Sequence, residues 1–295
     1  MNNVPKLDVK DVLKMLKGAP HRARRQILAR VVKPRYPRHL YKYRSVTTDP
    51  AAKFDALRMY LVESRLRLSS RRDFNDPFDV VAQVSAEAEP DQMKAHFRKM
   101  LLANDPKQSE KEREARVAHM MGLPLESWKK TAEESFNGQA DKVGIFSLSI
   151  KPRDILMWSH YGDNHTGVCV QFEVAGDPLT FLYALPVRYK EQFPKLNWMG
   201  PNVADQLTDA LLQKHPGWIY EAERRIVLPN AAHAFISFQP AALTRIVLGA
   251  RIDDARRAAL DALLKERATH GFPPVELMQA RLGPDRYRLT LHKVA

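Results

Sequence analysis

The chain has 295 residues, enough for one large or two small domains, and its 44 % hydrophobic and 27 % charged residues are typical of a globular protein. No apolar run is long enough to cross a bilayer, and the first residues do not have the apolar segment of a secretory signal, so we expect neither a membrane span nor export. The single cysteine, Cys169, excludes an internal disulfide and a cysteine-based zinc site. These features predict a protein of the reducing cytoplasm.

Most of the net charge of +13 lies at the start of the chain. Residues 1–44 contain thirteen lysines and arginines but only two acidic residues, so this segment alone carries a charge of +11. Apolar residues recur there with helical spacing in two pieces, and prolines end the pattern near residue 36. We therefore predict a basic helical N-terminal arm over residues 1–36 that binds nucleic acid or another polyanion. The alternative is a solvated helix surface that has no partner.

Residues 37–295 are predicted to form a single α+β domain in which helices flank a mostly antiparallel sheet. The first strand is the segment HLYKYRS, and a helix follows with Asp49 as its N-cap and Pro50 in its first turn. The segment RRDFNDPFD comes next and predicts a turn, in which Asn75 either completes the turn or positions a ligand. Residues 88–140 are charged and helical in spacing, and they predict a helical insertion between strands.

Strand patterns dominate the chain after residue 140. The segment DILMWSHYG begins as a helix and ends in a polar loop. The segment DDARRAALDALLKERATHG predicts an amphipathic helix that is capped by Asp253 or Asp254 and ends at Gly271. The predicted strands of this part are VGIFSLSI, GVCVQFEV, ALPVRYK, RRIVLP, FISFQ, LTRIVLG, VELMQARL and YRLTLH.

Four polar clusters are the candidate functional segments: LYKYRS, RDFNDPFD, MWSHYGDNHTG and GWIYEAERRIV. The sequence contains no phosphate-binding loop, dinucleotide glycine motif, HExxH or GxSxG, which argues against the enzyme classes that those motifs mark. His160 and His165 flank Asp163, but their spacing matches no zinc or iron pattern, so no metal is expected.

The third cluster combines residues of different expected roles. Trp158 is typical of a core anchor, and His160 is typical of a side chain that bonds to a backbone group. Tyr161 stands next to a glycine turn, where an aromatic ring is suited to stack on a ligand ring. The first cluster adds Arg44 as a candidate cation for a ligand, or for a salt bridge within the protein.

The fourth cluster contains two glutamates that are separated by one residue. In an extended strand, the period of two places Glu221, Glu223 and Arg225 on one face. The two carboxylates then either face a cleft or form salt bridges with Arg224, Arg225 or a neighbouring strand.

The motifs and their order resemble a mainly bacterial family known as domain of unknown function 2971. The resemblance rests on LYKYRS, LRLSSRRDFNDPFD, GIFSLS, ILMWSHYGDNHTGVCVQFE, GWIYEAERRIV and LTRIVLG, and it extends from about residue 39 to the end of the chain. The basic arm is not part of it. Because that family has no established activity, the resemblance implies a fold and a set of motifs but no reaction.

The chain is also similar in motif order to ADP-ribosyltransferase-like domains. In those domains, a first strand contacts the nicotinamide ribose, a middle segment with Ser or Tyr lies near the nicotinamide, and a last strand carries a glutamate. The resemblance implies an ADP-ribosyltransferase-like fold with NAD as cofactor and a nucleic-acid or protein acceptor. It implies catalytic roles for Glu223, Glu221, Tyr161 and His160, and cofactor binding by Tyr41, Tyr43, Arg44, Asn75, Trp158 and Ser159.

Two functions of other classes compete with this interpretation. One is a non-catalytic nucleic-acid-associated protein, in which the basic arm supplies the affinity and the domain is a scaffold. The other is a metal-independent phosphodiester-cleaving enzyme that uses His160 and Glu223. Because one fold supports many functions, the arrangement of the site has to decide among them.

Overall fold

The computed structural model describes residues 9–31, 36–49 and 55–294. The chain divides into two compact units. Unit 1 consists of Met1–Ser69, Gly144–Val187 and Gly217–Ala295, and unit 2 consists of Ser70–Val143 and Arg188–Pro216.

Ten α-helices are present in the described residues, together with 3₁₀ turns at Arg71–Asp73, Val174–Gly176, Pro216–Glu221 and Pro240–Ala242. The helices are, in chain order, α1 (Val9–Leu16), α2 (His21–Val31), α3 (Ala56–Leu61), α4 (Pro90–Asn104), α5 (Glu110–Met121), α6 (Leu125–Lys142), α7 (Ile155–Tyr161), α8 (Pro178–Phe181), α9 (Val203–Leu211) and α10 (Asp254–Thr269).

The strands of the same residues are short, and several have only two or three residues. They are β1 (His39–Arg44), β2 (Arg65–Arg67), β3 (Gln83–Ser85), β4 (Gly144–Ser149), β5 (Val168–Glu173), β6 (Leu185–Pro186), β7 (Arg188–Tyr189), β8 (Lys195–Asn197), β9 (Gln213–Lys214), β10 (Glu223–Leu228), β11 (Phe235–Ser237), β12 (Leu243–Leu248), β13 (Glu276–Leu282) and β14 (Leu289–Lys293).

Eight of the described strands form one sheet in unit 1, in the order β14, β13, β12, β5, β1, β4, β10, β6. Neighbouring strands run antiparallel, except that β12 and β13 are parallel because α10 connects them as a crossover. Strands β2 and β11 form a separate antiparallel pair in the same unit. The predicted α+β fold with a mostly antiparallel sheet is therefore confirmed.

One face of this sheet, the core face, packs against helices and holds the main hydrophobic core of unit 1. Alternate residues of the strands point into it, as the period of two requires. Helices α1, α3, α8 and α10 cover them with apolar side chains. The fully or nearly fully buried members include Val12, Leu16, Leu40, Leu57, Tyr60, Leu61, Phe146, Leu148, Val168, Val170, Phe172, Phe181, Ile226, Ile246, Leu248 and Leu260.

The described part of the predicted basic arm is helical and is attached to this core. Val12 and Leu16 of α1 are buried in it. From α2, Arg25 donates a hydrogen bond of 2.5 Å to the carboxylate of Glu173, which is fully buried at the end of β5. Arg38 donates to the other carboxylate oxygen at 3.4 Å. One arginine of the basic segment therefore neutralises a buried acid.

Helix α3 starts later than the sequence predicts. Its N-cap is Asp55, whose carboxylate accepts hydrogen bonds from the backbone N–H groups of Leu57 and Arg58 at 2.9 and 3.1 Å. Asp49, the predicted cap, is not helical, and Pro50 lies outside the described residues. Aspartate satisfies helix N–H groups equally well at either place, so the pattern alone selected the wrong one.

Unit 2 contains α4, α5 and α6, which occupy most of the segment predicted as a helical insertion. These helices enclose a small core of their own, and the unit also has two parallel strand pairs, β3 with β8 and β7 with β9. Asp76 accepts a hydrogen bond from the N–H of Phe78 at 2.9 Å and forms the predicted turn, in which Asn75 is exposed. No helix of the described residues is both long and apolar enough to span a membrane.

A single buried arginine joins three segments of unit 1. Arg267 of α10 is 2 % exposed, and its guanidinium donates to the backbone carbonyls of Leu61, Pro240 and Pro273 at 2.9, 2.8 and 3.1 Å. It also lies over the ring of Phe272, 5.3 Å from the centroid. The arginine therefore holds together the end of α3, the 3₁₀ turn before β12 and the segment that follows α10.

We predict that Arg267→Met lowers the free energy of unfolding by about 3 kcal/mol or more, because three buried carbonyls lose their partner at roughly 1 kcal/mol or more each. Arg257→Met is the matched control on the same helix, since Arg257 pairs with Asp261 near the surface and its loss is expected to cost less than about 1 kcal/mol. Urea unfolding of both variants measures the difference. Equal loss of stability in the two variants would contradict the role of Arg267.

Candidate active site

The second face of the large sheet carries a row of polar side chains that crosses five strands. Glu223 of β10 lies opposite Ser149 of β4, and Ser149 lies opposite Tyr41 of β1. Tyr41 in turn lies opposite Gln171 of β5, which lies opposite Arg245 of β12. Residues directly opposite in antiparallel strands point to the same side. The row therefore brings the first and last of the predicted motifs, LYKYRS and GWIYEAERRIV, onto one face.

Glu223 forms a buried ion pair with Arg225 two residues further along β10. The guanidinium donates two hydrogen bonds to the carboxylate, Nε to Oε1 at 2.8 Å and Nη2 to Oε2 at 3.0 Å. The side chains are 5 % and 0 % exposed. Because they share one face at strand spacing, the pairing follows from the sequence E-x-R in an extended strand. Each charge depends on the other in this low-dielectric position.

Glu221 does not belong to the strand. The sequence pattern predicts an extended segment through YEAERR, but residues Pro216–Glu221 form a 3₁₀ turn, and β10 begins only at Glu223. Ala222 between them has a φ of +43°, a left-handed conformation that costs an L-residue about 1–2 kcal/mol. This reversal changes the direction of the chain, so strand period does not set the position of Glu221.

Glu221 is nevertheless held close to the middle motif. The phenol of Tyr161, the last residue of α7, donates a hydrogen bond of 2.6 Å to Oε1 of Glu221, which is 3 % exposed. The hydroxyl of Ser149 donates to the backbone carbonyl of Glu221 at 2.6 Å. The segments WSHY and YEAER, sixty residues apart in sequence, are thus joined by a short charge-assisted hydrogen bond.

The position of Tyr161 is set by two anchors of α7, its N-cap Asp154 and the buried Trp158. Asp154 caps the helix by accepting from the N–H groups of Leu156 and Met157 at 3.1 and 3.2 Å. Trp158 is fully buried, and its indole N–H donates to the carbonyl of Pro152 at 3.0 Å. Its ring meets that of Tyr43 edge to face, 5.1 Å between centroids.

Tyr43 and Trp158 therefore have packing roles in this structure. Together with Met157, Cys169 and Val247 they form a second, small apolar cluster between the sheet and α7. The phenol of Tyr43 donates to the carbonyl of Lys151 at 2.7 Å, and burial raises the pKa of this phenol far above its usual value. Neither side chain has exposed surface that a ligand can reach, whereas Tyr41 and Tyr161 are half-buried at the edge of the cluster.

The loop after α7 explains the remaining residues of the motif MWSHYGDNHTG. Asp163, Asn164 and His165 have φ angles of 51, 52 and 69°, three consecutive left-handed residues. The loop then passes very close to its neighbours. A Cβ on Gly167 would lie 2.3 Å from the carbonyl oxygen of Arg44, and one on Gly249 would lie 2.1 Å from that of His165. The polar loop is thus a tight structural turn.

Four aromatic rings form a strip beside Glu221, hereafter the aromatic strip. The rings of Trp218 and Tyr220 have centroids 6.0 Å apart, those of Tyr220 and His160 6.1 Å apart, and those of His160 and Tyr161 6.3 Å apart. His160 is exposed, and the others are half-buried. Sequence reasoning did not single out Trp218 and Tyr220, although the motif GWIYE contains them directly before the glutamate.

Two residues of unit 1 that were predicted for cofactor binding, Arg44 and Ser159, lie elsewhere in that unit, and a third, Asn75, is not part of it. Arg44 is on the core face of β1, where its Nε donates to the phenol of Tyr60 at 3.1 Å. Asn75 belongs to unit 2. Ser159 lies on the side of α7 that lines a separate cavity with Ile155 and Leu156. Within unit 1, the structure brings together Tyr41, His160, Tyr161, Glu221 and Glu223 from the predicted set, and not Arg44 or Ser159.

Positive charge surrounds Tyr41 on the polar face. Burial raises the pKa of its phenol, and Arg245, Arg153 and Arg38 act in the opposite direction. Burial and the nearby Arg38 also lower the pKa of His39, two residues before Tyr41, to about 4. His39 is therefore neutral at neutral pH. Arg38 and Arg153 are both exposed and supply cations near the row.

Residues 157–226 match the model of a family described as Protein of unknown function (DUF2971). This match confirms, for that segment, the family resemblance that the motifs indicate. It includes Tyr161, Glu221, Glu223 and Arg225, and so both the Tyr161–Glu221 bond and the buried ion pair. No match was found among curated proteins or among solved structures. In the described residues, no group of three or more His, Cys, Asp or Glu side chains is arranged to hold a metal ion.

We predict that Tyr161 and Glu221 are energetically coupled. A double-mutant cycle with Tyr161→Phe and Glu221→Gln is expected to give a coupling energy of about 1–2 kcal/mol. Either substitution alone already disrupts the hydrogen bond to the buried carboxylate, so the second substitution costs less in the presence of the first. Urea unfolding of the four proteins measures it. A cycle of Tyr161→Phe with Glu266→Gln, whose carboxylate pairs with Arg58, is the control and is expected to be additive. Additivity in both cycles would show that the bond does not form.

Proposed function

We propose that unit 1 is an ADP-ribosyltransferase-like enzyme that cleaves NAD and transfers ADP-ribose to a nucleic-acid or protein acceptor. The observation that carries this proposal is the hydrogen bond between Tyr161 and Glu221, set beside the aromatic strip and the buried Glu223–Arg225 pair. The motif order of ADP-ribosyltransferase-like domains supports the proposal independently of the geometry.

The reaction needs a carboxylate close to a developing positive charge. Nicotinamide leaves as the N-glycosidic bond breaks, the ribose carbon acquires oxocarbenium character, and a nucleophile of the acceptor adds to that carbon and releases a proton. A fixed carboxylate stabilises such a centre more strongly than water does. Aromatic rings such as those of Tyr161 and His160 are suited to stack on the nicotinamide.

We assign the stabilising carboxylate to Glu221. Both oxygens of Glu223 accept hydrogen bonds from Arg225, so that pair is close to neutral overall. Glu221 accepts from the phenol of Tyr161, which holds its carboxylate beside the aromatic strip. In this assignment the Glu223–Arg225 pair positions the start of β10, and Arg38 and Arg153 replace Arg44 as the cations for the diphosphate.

We predict that Glu221→Gln lowers the rate of nicotinamide release about 10²–10³-fold, because the interaction matures in the transition state, and that it changes the binding of NAD much less. The assay follows nicotinamide release from NAD with candidate nucleic-acid and protein acceptors. Glu266→Gln, which alters an exposed carboxylate on α10, is the control and is expected to keep the wild-type rate.

Glu223 needs a different design, because Glu223→Gln removes a negative charge that pairs with the fully buried guanidinium of Arg225. The double variant Glu223→Gln with Arg225→Gln removes both charges and is compared with Glu221→Gln at matched thermal stability. Fast release by Glu221→Gln together with loss in the double variant would move the assignment to Glu223. A wild-type protein that neither binds nor cleaves NAD would refute the enzyme.

The N-terminal helices support polyanion binding as a second function. Lys10 and Lys14 of α1, Lys17 in the turn after it and Arg22 of α2 are exposed, whereas Val12 and Leu16 are buried in the core. The apolar side of α1 thus holds the helix in place while its basic side faces solvent. Fixed surface cations of this kind bind phosphate backbones by releasing counterions.

Removing residues 1–36 would expose the core, so we predict the outcome of charge reversal instead. Lys10→Glu, Lys14→Glu and Lys17→Glu together are expected to weaken binding to a DNA duplex at least about tenfold and to reduce the slope of log affinity against log salt. Fluorescence anisotropy at two salt concentrations measures both. Reversal of Lys129, Lys130 and Lys142 on α6 of unit 2 is the control. Equal effects of the two sets would refute a specific role of α1.

A further inference from the structure

A cavity of about 610 Å³ lies in unit 1 between α7 and the turn that joins β13 to β14, and it is apart from the aromatic strip. Its apolar lining comes from both sides. Ile155 and Leu156 of α7 are 40 % and 43 % exposed, and Leu282 at the end of β13 is 74 % exposed. A volume of this size accommodates a small organic ligand, and exposed apolar side chains that face one hollow are typical of binding sites.

The polar lining divides into a neutral wall and a basic wall. On α7, the hydroxyl of Ser159 donates to the carbonyl of Ile155 at 3.0 Å and contacts Nε2 of His165 at 3.3 Å. Since the hydroxyl has one proton and uses it on Ile155, Nε2–H of His165 is the donor in the second contact. Burial and the charge of Arg251 lower the pKa of His165, which favours the neutral ring at neutral pH. The wall on α7 is thus polar but uncharged.

The basic wall belongs to the β13–β14 turn. Arg286 and Arg288 both line the cavity, and both pair with the carboxylate of Asp285 at 3.5 and 3.4 Å. These side chains are more than half exposed, and the contacts are long. Exposed pairs of this kind contribute little stability, so the carboxylate of a ligand can take the place of Asp285 at low cost. A guanidinium forms a stronger hydrogen bond with a carboxylate than with a neutral acceptor.

We propose that this cavity binds a small organic carboxylate with an apolar body, with the carboxylate on Arg286 and Arg288 and the apolar body on Ile155, Leu156 and Leu282. Two arginines and one aspartate give the turn a net positive charge, which complements the carboxylate of the ligand. The uncharged wall of Ser159 and His165 does not repel an anion. The proposal is independent of the reaction assigned to Glu221, because none of the residues of the aromatic strip lines this cavity.

Titration calorimetry with decanoate, below its micelle concentration, tests the proposal on the full chain. Wild type is expected to bind decanoate and to bind decanol at least about tenfold more weakly, since charged hydrogen bonds are then missing. Arg286→Gln with Arg288→Gln is expected to weaken decanoate binding by a similar factor and to leave decanol binding unchanged. Leu156→Asn is expected to weaken both.

The controls alter the same residue types away from the cavity. Arg257→Gln removes a cation of α10, and Leu179→Asn removes an apolar side chain that is 71 % exposed; neither is expected to change binding. Equal binding of decanol and decanoate would overturn the proposal, as would the absence of decanoate binding. Binding to anionic phospholipid vesicles without binding of decanoate would also overturn it and would assign this edge to a membrane surface.

Discussion

The alternation of side chains along the central strands is the constraint on which unit 1 depends. On β1, Leu40 points into the main core, whereas Tyr41 and Tyr43 point to the opposite face. Because every neighbouring strand keeps the same phase, the sheet separates an apolar side covered by helices from a side with a polar row. Arg44 follows Tyr43 directly, so the alternation places its side chain on the core face even though it is charged.

The polar side tolerates buried charge because each buried acid has a fixed partner nearby. Glu223 is matched by Arg225 within its own strand, Glu221 by the phenol of Tyr161, and Glu173 by Arg25 of α2. A carboxylate that is removed from water without such partners would take up a proton or destabilise the fold. The charges therefore restrict which chain segments can lie next to each other, and they fix the position of the turn before β10.

Periodicity and capping were sufficient to predict most of the regular structure in unit 1. The strand at GIFSLS, the strand at VCVQFE and helix α10 follow directly from the pattern, and Asp253 caps that helix as predicted by accepting from the N–H of Arg256 at 2.8 Å. Local competition between similar signals accounts for the error at α3, where two aspartates could serve as the cap. The segment ALPVRYK was predicted as one strand but divides into β6 and β7, which pair with different partners.

The site was less predictable than the fold, because tertiary packing decides which polar residues meet. Period two correctly predicts the Glu223–Arg225 pair, but it cannot predict a left-handed alanine that turns the preceding segment into a 3₁₀ turn. The motif WSHYGDNHTG is the richest in titratable groups. Its glycines allow close backbone contacts, and its tryptophan packs in the small apolar cluster.

Once these structural roles are assigned, His160 and Tyr161 remain as the side chains of that motif at the edge of the site. Both lie at the C-terminal end of α7, and the phenol of Tyr161 donates a hydrogen bond to the carboxylate of Glu221. The hydrogen bond from the phenol of Tyr161 fixes the largely buried carboxylate of Glu221 next to the rings of these two residues. Because the aromatic strip lies beside Glu221, whereas both oxygens of Glu223 accept from Arg225 within β10, we place Glu221 at the centre of the proposed site.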